Sequence, residues 1–170
     1  MAESILNGKR ILVVDDEPDV LAVLEEEIMG AGPKCQVDKA TSYETAMEKL
    51  RSQAYDLVVL DIMGVRGFDL LDVAASRNIP AAMLTAHAFN PEALKHSIQN
   101  GARAYLPKEK LGEVVPFLED IFSEKDSVKG WAKLMKKLEG YLSSRWGEYW
   151  KKKDERFWKE FDEKTAHIGW

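Results

Sequence analysis

The stretch that decides the fold is Ile11-Leu12-Val13-Val14-Asp15-Asp16-Glu17-Pro18, near the start of a chain of 170 residues. Its four consecutive apolar residues predict a strand that is covered on both faces, as the strands of parallel sheets are. Its proline predicts the first turn of a helix, which Gly30 and Gly32 would end. A buried strand followed directly by a helix is the repeating unit of an α/β protein.

The same alternation continues to about residue 122. Ser42 and Asn90 are predicted to cap the second and fourth helices. Five strands alternating with five helices predict a doubly wound, flavodoxin-like α/β fold, in which a parallel sheet of order 2-1-3-4-5 has helices on both faces. The remaining predicted strands are Gln36–Lys39, Leu57–Leu60, Ala81–Leu84 and Ala104–Leu106, and the remaining helices are Tyr43–Gln53, Phe68–Ser76, the segment between Asn90 and Gly101, and Glu113–Phe122.

Polar residues follow the ends of four predicted strands. Asp15 and Asp16 follow the first strand, Asp61 the third, Thr85 the fourth and Lys108 the fifth. The carboxyl ends of parallel strands share one edge of the sheet, and ligands of such folds bind outside that edge. We therefore expect these side chains, which are more than ninety residues apart in sequence, to converge in one pocket.

Such a pocket predicts phosphoryl chemistry with a hard cation. Two carboxylates ~4 Å apart repel each other by roughly 4 kcal/mol at an effective dielectric of ~20. Mg²⁺ relieves this repulsion because it prefers oxygen ligands and completes its shell with water and phosphate oxygens. A carboxylate can accept a phosphoryl group covalently, and a lysine and a hydroxyl can hold its oxygens. The sequence contains no GxxxxGK[ST] loop, which argues against a nucleotide as the donor.

Residues 8–124 closely resemble the receiver domains of two-component response regulators. The resemblance implies that the chain is a phosphorylation-dependent signalling switch. The motifs that carry it are the stretch 11–18, Asp61-Ile62-Met63 with Gly67 six residues after Asp61, Thr85-Ala86, and Tyr105 three residues before Lys108.

The resemblance also implies a phosphoacceptor and a metal site. Asp61 would accept a phosphoryl group from the phosphohistidine of a histidine kinase or a His-phosphotransfer protein. Asp16, Asp61 and the backbone carbonyl of Met63 would bind Mg²⁺ directly. Asp15 would contribute to the same metal site through a water molecule.

Further roles follow from the resemblance for residues around the acceptor. Thr85 and Lys108 would hold phosphoryl oxygens. Thr85 and Tyr105 would form the switch that reports phosphorylation to the surface of the fourth helix, fifth strand and fifth helix. Met63 and His87 occupy positions that tune the lifetime of the acyl phosphate, although His87 is equally well interpreted as an exposed loop residue.

Two positions depart from the family pattern. Gly64 stands where a proline usually follows the methionine of the acceptor motif. Pro107 precedes Lys108, and Glu109 follows it where a proline is common. Neither change removes a chemical group, and we expect both to loosen their loops and to alter the lifetime of the phosphorylated state.

Residues 1–124 are predicted to be the receiver domain and residues 125–170 an amphipathic, Trp-rich helical extension. The first segment carries 12 basic and 21 acidic residues, whereas the second carries 12 and 8. Apolar residues from Trp131 to Tyr149 recur at spacings of three and four, which predicts a helix that Gly140 and Gly147 are expected to interrupt. All five tryptophans lie in this segment: Trp131, Trp146, Trp150, Trp158 and Trp170.

This aromatic stripe requires a partner surface. It represents roughly 1,000 Å² of apolar area, whereas soluble monomers seldom expose more than a few hundred Å² contiguously. Three alternatives remain open: packing on its own receiver or into a hairpin, formation of a homodimer, and binding of a heterologous protein. Lys151-Lys152-Lys153 beside Trp150 suits a nucleic-acid or membrane surface, but interleaved acidic residues disfavour both, DNA included.

The bulk properties complete the prediction. No apolar run approaches the ~18 residues of a membrane span, and residues 1–10 do not have the apolar stretch of a signal peptide, so we expect a cytoplasmic protein. Cys35 is expected to be buried, and His96 and His167 to be solvated.

The chain is predicted not to be an enzyme beyond accepting and slowly hydrolysing its own phosphoryl group. The alternatives are an interaction module that is never phosphorylated and a small-molecule phosphohydrolase.

Overall fold

The computed structural model describes residues 3–166, so the predictions for Trp170 and His167 lie outside the described residues. Within that range the strands are β1 (Arg10–Val14), β2 (Gln36–Ala40), β3 (Leu57–Asp61), β4 (Ala81–Thr85) and β5 (Ala104–Pro107). They form a parallel sheet in the order β2-β1-β3-β4-β5, which confirms the predicted topology.

The helices follow the strands in strict alternation and then continue into the tail. Ser42 caps the second helix by accepting from the backbone N–H of Thr45, and Asn90 caps the fourth through the N–H of Ala93, as predicted. The helices are α1 (Pro18–Ala31), α2 (Tyr43–Ser52), α3 (Gly67–Ser76), α4 (Pro91–Gln99), α5 (Val114–Ser123), α6 (Ser127–Trp146) and α7 (Glu155–Ala166), with 3₁₀ turns at Lys108–Glu113 and Trp150–Asp154.

The central strands are buried along their whole length because helices cover both faces of the sheet. Every residue of β3 and β4 is buried, whereas β2 at the edge keeps most of its side chains partly exposed. Continuous apolar runs therefore mark the centre of the sheet. This rigid layer places the carboxyl ends of β1, β3, β4 and β5 along one rim.

The tail differs from the prediction in two details. Helix α6 runs through Gly140 without interruption and ends at Trp146, where Gly147 adopts a positive φ of 92°. Because the helix ends there, Tyr149 leaves the apolar face to which the spacing assigned it, and 67% of its surface is exposed. The predicted break at Gly147 is confirmed and the one at Gly140 is wrong.

The aromatic stripe packs within its own chain, which was one of the three alternatives. Trp131 donates a hydrogen bond from Nε1 to the carbonyl of Ala102 at 3.0 Å, two residues before β5 begins. Helix α7 folds back on α6, and the rings of Trp150 and Trp158 meet edge to face at 4.8 Å. Trp131, Trp150 and Trp158 are all buried. Between residues 3 and 166, none of the helices is both long and apolar enough to cross a membrane.

Candidate functional site

Three carboxylates meet at the carboxyl rim of the sheet. Asp15 and Asp16 follow β1, and Asp61 is the last residue of β3. One oxygen from each lies within 4.8 Å of the others. Asp15 and Asp61 are buried, whereas Asp16 is exposed at the mouth. The predicted convergence of these residues is therefore present in the structure.

The local backbone fixes the orientation of these carboxylates. Asp15 accepts a hydrogen bond at Oδ1 from the backbone N–H of Glu17 at 2.9 Å, so its side chain is held at the entrance to α1. Gly67 begins α3 so close to β3 that an added Cβ would lie 2.1 Å from the carbonyl oxygen of Asp61. A side chain at this position would push α3 away from the acceptor strand.

Gly64 explains one departure from the family pattern. Its φ is +86°, a value that proline, which is restricted to about −65°, cannot adopt. A Cβ at Gly64 would also lie 2.6 Å from a carboxylate oxygen of Asp16. The loop between β3 and α3 thus closes against Asp16 in a turn that requires glycine.

Lys108 supplies the positive charge of the pocket. Its Nζ lies 2.8 Å from Oδ2 of Asp15 and 3.6 Å from Oδ1 of Asp61. It also lies 3.4 Å from Oε1 of Glu17, a residue that the sequence analysis did not assign to the site. The sequence did offer one signal for Glu17: it directly precedes the proline that begins α1, and a residue at that position borders the same rim of the sheet.

Burial and charge together shift the acid–base equilibria of the site. Burial, reinforced by the negative charges of Asp15 and Asp16, raises the pKa of Asp61 to about 7, although Lys108 opposes the shift. Burial also raises the pKa of Asp15. Burial alone would lower the pKa of Lys108, but its contacts with Asp15 and Asp61 raise it. The pocket therefore holds more negative charge than its single lysine neutralises.

This donor set fits a magnesium ion. Oδ2 of Asp15 is buried, and no residue in the described part of the chain gives it a well-directed hydrogen bond, although Lys108 lies near it. A buried, poorly satisfied carboxylate oxygen beside two further carboxylates is the all-oxygen arrangement that hard divalent cations prefer. Met63 lies two residues beyond Asp61, and 53% of its surface is exposed.

Thr85 and Tyr105 hold the loop between β4 and α4 from two sides. Thr85 is buried at the end of β4, and its Oγ1 accepts a hydrogen bond from the N–H of Ala88 at 2.8 Å. The hydroxyl of Tyr105 donates to the carbonyl of Ala88 at 2.7 Å and accepts from the N–H of Asn90 at 3.0 Å. Tyr105 is fully buried, so it lies in an inward position beneath this loop. His87 is exposed in the same loop.

Glu109 makes contacts that the sequence analysis missed. Its carboxylate accepts from Nη1 of Arg145 at 2.7 Å and from the hydroxyl of Tyr141 at 2.8 Å, both on α6. These contacts lower the pKa of Glu109. The residue that replaces the usual proline after Lys108 therefore connects the site to the tail.

Comparison with known proteins gives consistent matches. The sequence model of the response regulator receiver domain family matches residues 11–115. The two-component response regulator ARR18 of Arabidopsis thaliana is 35% identical over 134 residues, which are 75% of this chain and 20% of that protein. The DNA-binding transcriptional regulator NtrC of Escherichia coli (strain K12) is 33% identical over 121 residues, 66% of this chain and 24% of that protein.

A solved structure shows the same fold. The crystal structure of a CheY-like response regulator receiver domain protein from Methanospirillum hungatei JF-1 matches with a TM-score of 0.58 and 24% identity, and the match covers 69% of this chain and 98% of that one. By contrast, this chain spans only about a fifth to a quarter of the two curated relatives.

Proposed function

Because this chain belongs to the response regulator receiver domain family, we propose that Asp61 accepts a phosphoryl group from a partner phosphohistidine. The family gives the chain a phosphorylation-dependent signalling role. The phosphodonor would be a histidine kinase or a His-phosphotransfer protein. The observation that carries the proposal is the convergence of Asp15, Asp16, Asp61 and Lys108 within one pocket at the sheet rim.

The proposed step is a displacement at phosphorus. A carboxylate oxygen of Asp61 forms a bond to the phosphorus while the phosphorus–nitrogen bond of the phosphohistidine breaks. The imidazole leaves with the bonding electron pair, and the product is an acyl phosphate. The attacking carboxylate must be ionised, and the nearby ammonium of Lys108 favours that form.

The residues around Asp61 suit the charge that this step develops. Asp16, Asp61 and the carbonyl of Met63 would hold Mg²⁺, with Asp15 contributing through water. When bound, Mg²⁺ would neutralise the carboxylates and the phosphoryl oxygens. Lys108 and the hydroxyl of Thr85 would each hold a phosphoryl oxygen.

The signal would then pass from Thr85 to Tyr105 through the loop that both residues hold. A phosphoryl oxygen bound by Thr85 would fix the loop at Ala88, the residue whose carbonyl accepts from Tyr105. The position of Tyr105 would therefore report occupancy of the site to the face formed by α4, β5 and α5. Met63 and His87, at the edge of the site, would set the lifetime of the acyl phosphate.

Labelling with radioactive acetyl phosphate and Mg²⁺ tests this proposal. We expect the wild-type protein to incorporate label and Asp61→Asn to incorporate none, because an amide is not a nucleophile of comparable strength. Asp72→Asn is the matched control, since Asp72 is an exposed carboxylate on α3. Equal labelling of wild type and Asp61→Asn would contradict the assignment.

The same labelling experiment, together with an assay of phosphate release from simple phosphoesters, separates the two alternative functions. A small-molecule phosphohydrolase would release phosphate from simple phosphoesters in many turnovers, whereas the proposed acceptor releases at most its own phosphoryl group. An interaction module that is never phosphorylated would remain unlabelled in the wild type as well as in both variants. We propose that the chain acts through protein contacts and not as an enzyme with a separate substrate.

A further inference from the structure

We propose that helix α6 is a clamp on the switch, so that docking of α6 and occupancy of the acceptor site stabilise each other. This inference rests on the proposed function, because it assigns a regulatory partner to the same site. Its basis is that α6 contacts the segments that directly follow Thr85 and Lys108. The tail would then regulate the acceptor site in addition to burying the apolar surface of the receiver.

The first contact joins the end of α6 to the loop after β4. Trp146 donates a hydrogen bond from Nε1 to the carbonyl of Phe89 at 3.3 Å, and the two rings lie 4.7 Å apart. The ring of Trp146 also lies 6.5 Å from that of Tyr105. Trp146 therefore packs against both the loop and the buried tyrosine that holds it.

The same loop leads directly to the acceptor site. Phe89 is adjacent to Ala88, which donates to Thr85 Oγ1 and accepts from Tyr105. The bond from Ala88 uses an oxygen lone pair of Thr85, so the hydroxyl proton stays available for a phosphoryl oxygen. The loop position that α6 stabilises is thus compatible with an occupied site. We therefore expect positive coupling, in which docking of α6 increases the affinity of the site for a phosphoryl group.

The second contact joins α6 to the loop after β5. Glu109 accepts from Arg145 at 2.7 Å and from Tyr141 at 2.8 Å, and it directly follows Lys108. The side chain of Lys108 reaches the carboxylates of Asp15 and Asp61 in the acceptor pocket. A rigid Glu109 restricts the backbone from which the phosphoryl-holding lysine projects.

The aromatic contact carries more of the coupling than the ion pair does. The side chains of Glu109 and Arg145 are 60% and 46% exposed, and exposed ion pairs contribute little. Trp146 is half-buried and contacts the rings of Phe89, Tyr105 and Trp150. Aromatic pairs of this kind contribute beyond the area that they bury. We therefore expect that replacing Trp146 weakens the coupling between the tail and the acceptor site most strongly.

The position of α6 also determines how a signal leaves the receiver. Lys137 on α6 pairs with Asp120 on α5 at 2.5 Å, and Trp131 bonds next to β5 at Ala102. Helix α6 therefore covers part of the face formed by α4, β5 and α5. A protein that binds this face must either displace α6 or bind its outer side.

Beryllium fluoride, a stable phosphoryl mimic, tests the clamp in the full-length protein. Its affinity in the presence of Mg²⁺ is measured by titration calorimetry for the wild type, Trp146→Ala and Trp146→Phe. Because couplings between sites are reciprocal and amount to about 5- to 150-fold, we expect Trp146→Ala to bind about five- to tenfold more weakly. Trp146→Phe keeps an aromatic ring but loses the Nε1 donor and part of the contact area of the indole, so its loss of affinity should be smaller than that of Trp146→Ala.

Tyr149→Ala is the matched control, because Tyr149 is a tail aromatic with 67% of its surface exposed. It should bind like the wild type. Amide hydrogen exchange of the wild type gives an independent readout that needs no variant: exchange across α6 should slow when the mimic binds. Unchanged or faster exchange there, or wild-type affinity in a folded Trp146→Ala, would overturn the clamp. A wild type that binds no mimic would instead overturn the proposed function, and the clamp with it.

Discussion

Replacing Asp61 with asparagine should stabilise the metal-free protein at neutral and alkaline pH. The buried carboxyl of Asp61 has a pKa of about 7, well above its ordinary value of 3.8, because burial and the charge of Asp15 disfavour its ionised form. Between about pH 4 and pH 7 the folded protein therefore retains a proton on Asp61 that the unfolded chain has lost. Asparagine has a similar shape and cannot acquire the unfavourable charge.

The magnitude and its pH window follow from this pKa. Stability associated with protonated Asp61 is fully present below about pH 4 and is lost as the pH rises through about 7. A shift of about three units corresponds to about 4 kcal/mol, at ~1.4 kcal/mol per unit. Asp61→Asn should therefore match the wild type near pH 4 and exceed its free energy of unfolding by up to about 4 kcal/mol at pH 8.

Urea unfolding followed by circular dichroism at a series of pH values, with a chelator present, measures this difference. Asp72→Asn should differ from the wild type by a constant amount, because Asp72 is exposed. Saturating Mg²⁺ should reduce the advantage of Asp61→Asn, since a ligand at ~100 times its Kd stabilises the folded state by about 2.7 kcal/mol. An advantage that does not grow between pH 4 and pH 8, or a destabilised Asp61→Asn, would refute this reasoning.

Two further variants test the metal ligands and the geometry of the acceptor loop. Asp16→Asn should abolish the rise in Tm that Mg²⁺ gives the wild type, while Asp19→Asn, an exposed acid on α1, should keep it; a Tm that Mg²⁺ does not raise in the wild type would count against the site. Gly67→Ala should lower the free energy of unfolding by about 2 kcal/mol or more in urea titrations, because its Cβ would overlap the carbonyl oxygen of Asp61. Gly112→Ala is the control for Gly67, since a Cβ there meets no atom within 4 Å, and equal effects of the two changes would contradict the close approach.

The sheet could be predicted from sequence because its strands carry strong and local signals. The central strands are unbroken apolar runs, and the helices between them begin at recognisable caps such as Ser42 and Asn90. Right-handed crossovers then leave few possible strand orders. The convergence of Asp15, Asp61 and Lys108 follows from that order alone, since each stands at the carboxyl end of its strand.

The errors in the tail arise from packing that local patterns do not record. A glycine inside a helix costs about 1 kcal/mol, but Leu138 and Leu142 on either side of Gly140 are buried and outweigh that cost. Tyr149 follows the end of α6, so a helical spacing no longer applies to it. The stripe indicated that a partner surface was needed, but apolar burial is non-directional, and only the structure shows that the receiver and α7 together supply it.

Contacts between residues far apart in the chain also could not be predicted from the sequence. Glu17 reaches Lys108 across 91 positions, and Glu109 reaches α6 across 36, so neither pair has a local signature. The 3₁₀ turn at Lys108–Glu113 contains no apolar periodicity that would have predicted it. The sequence shows that Gly64 and Glu109 differ from the family pattern. Their structural roles depend on the residues that they contact, which are Asp16 for Gly64 and Arg145 for Glu109.

The central claim is that phosphoryl transfer is directed to one carboxylate among three neighbours. Borohydride reduction after treatment with acetyl phosphate and Mg²⁺, followed by peptide mass mapping, identifies the modified position, because an acyl phosphate on aspartate is reduced to homoserine. We predict that the modified residue is Asp61 and that Asp15 and Asp16 remain unchanged. Modification at Asp15 or Asp16, or none in protein that is folded and saturated with Mg²⁺, would contradict the claim.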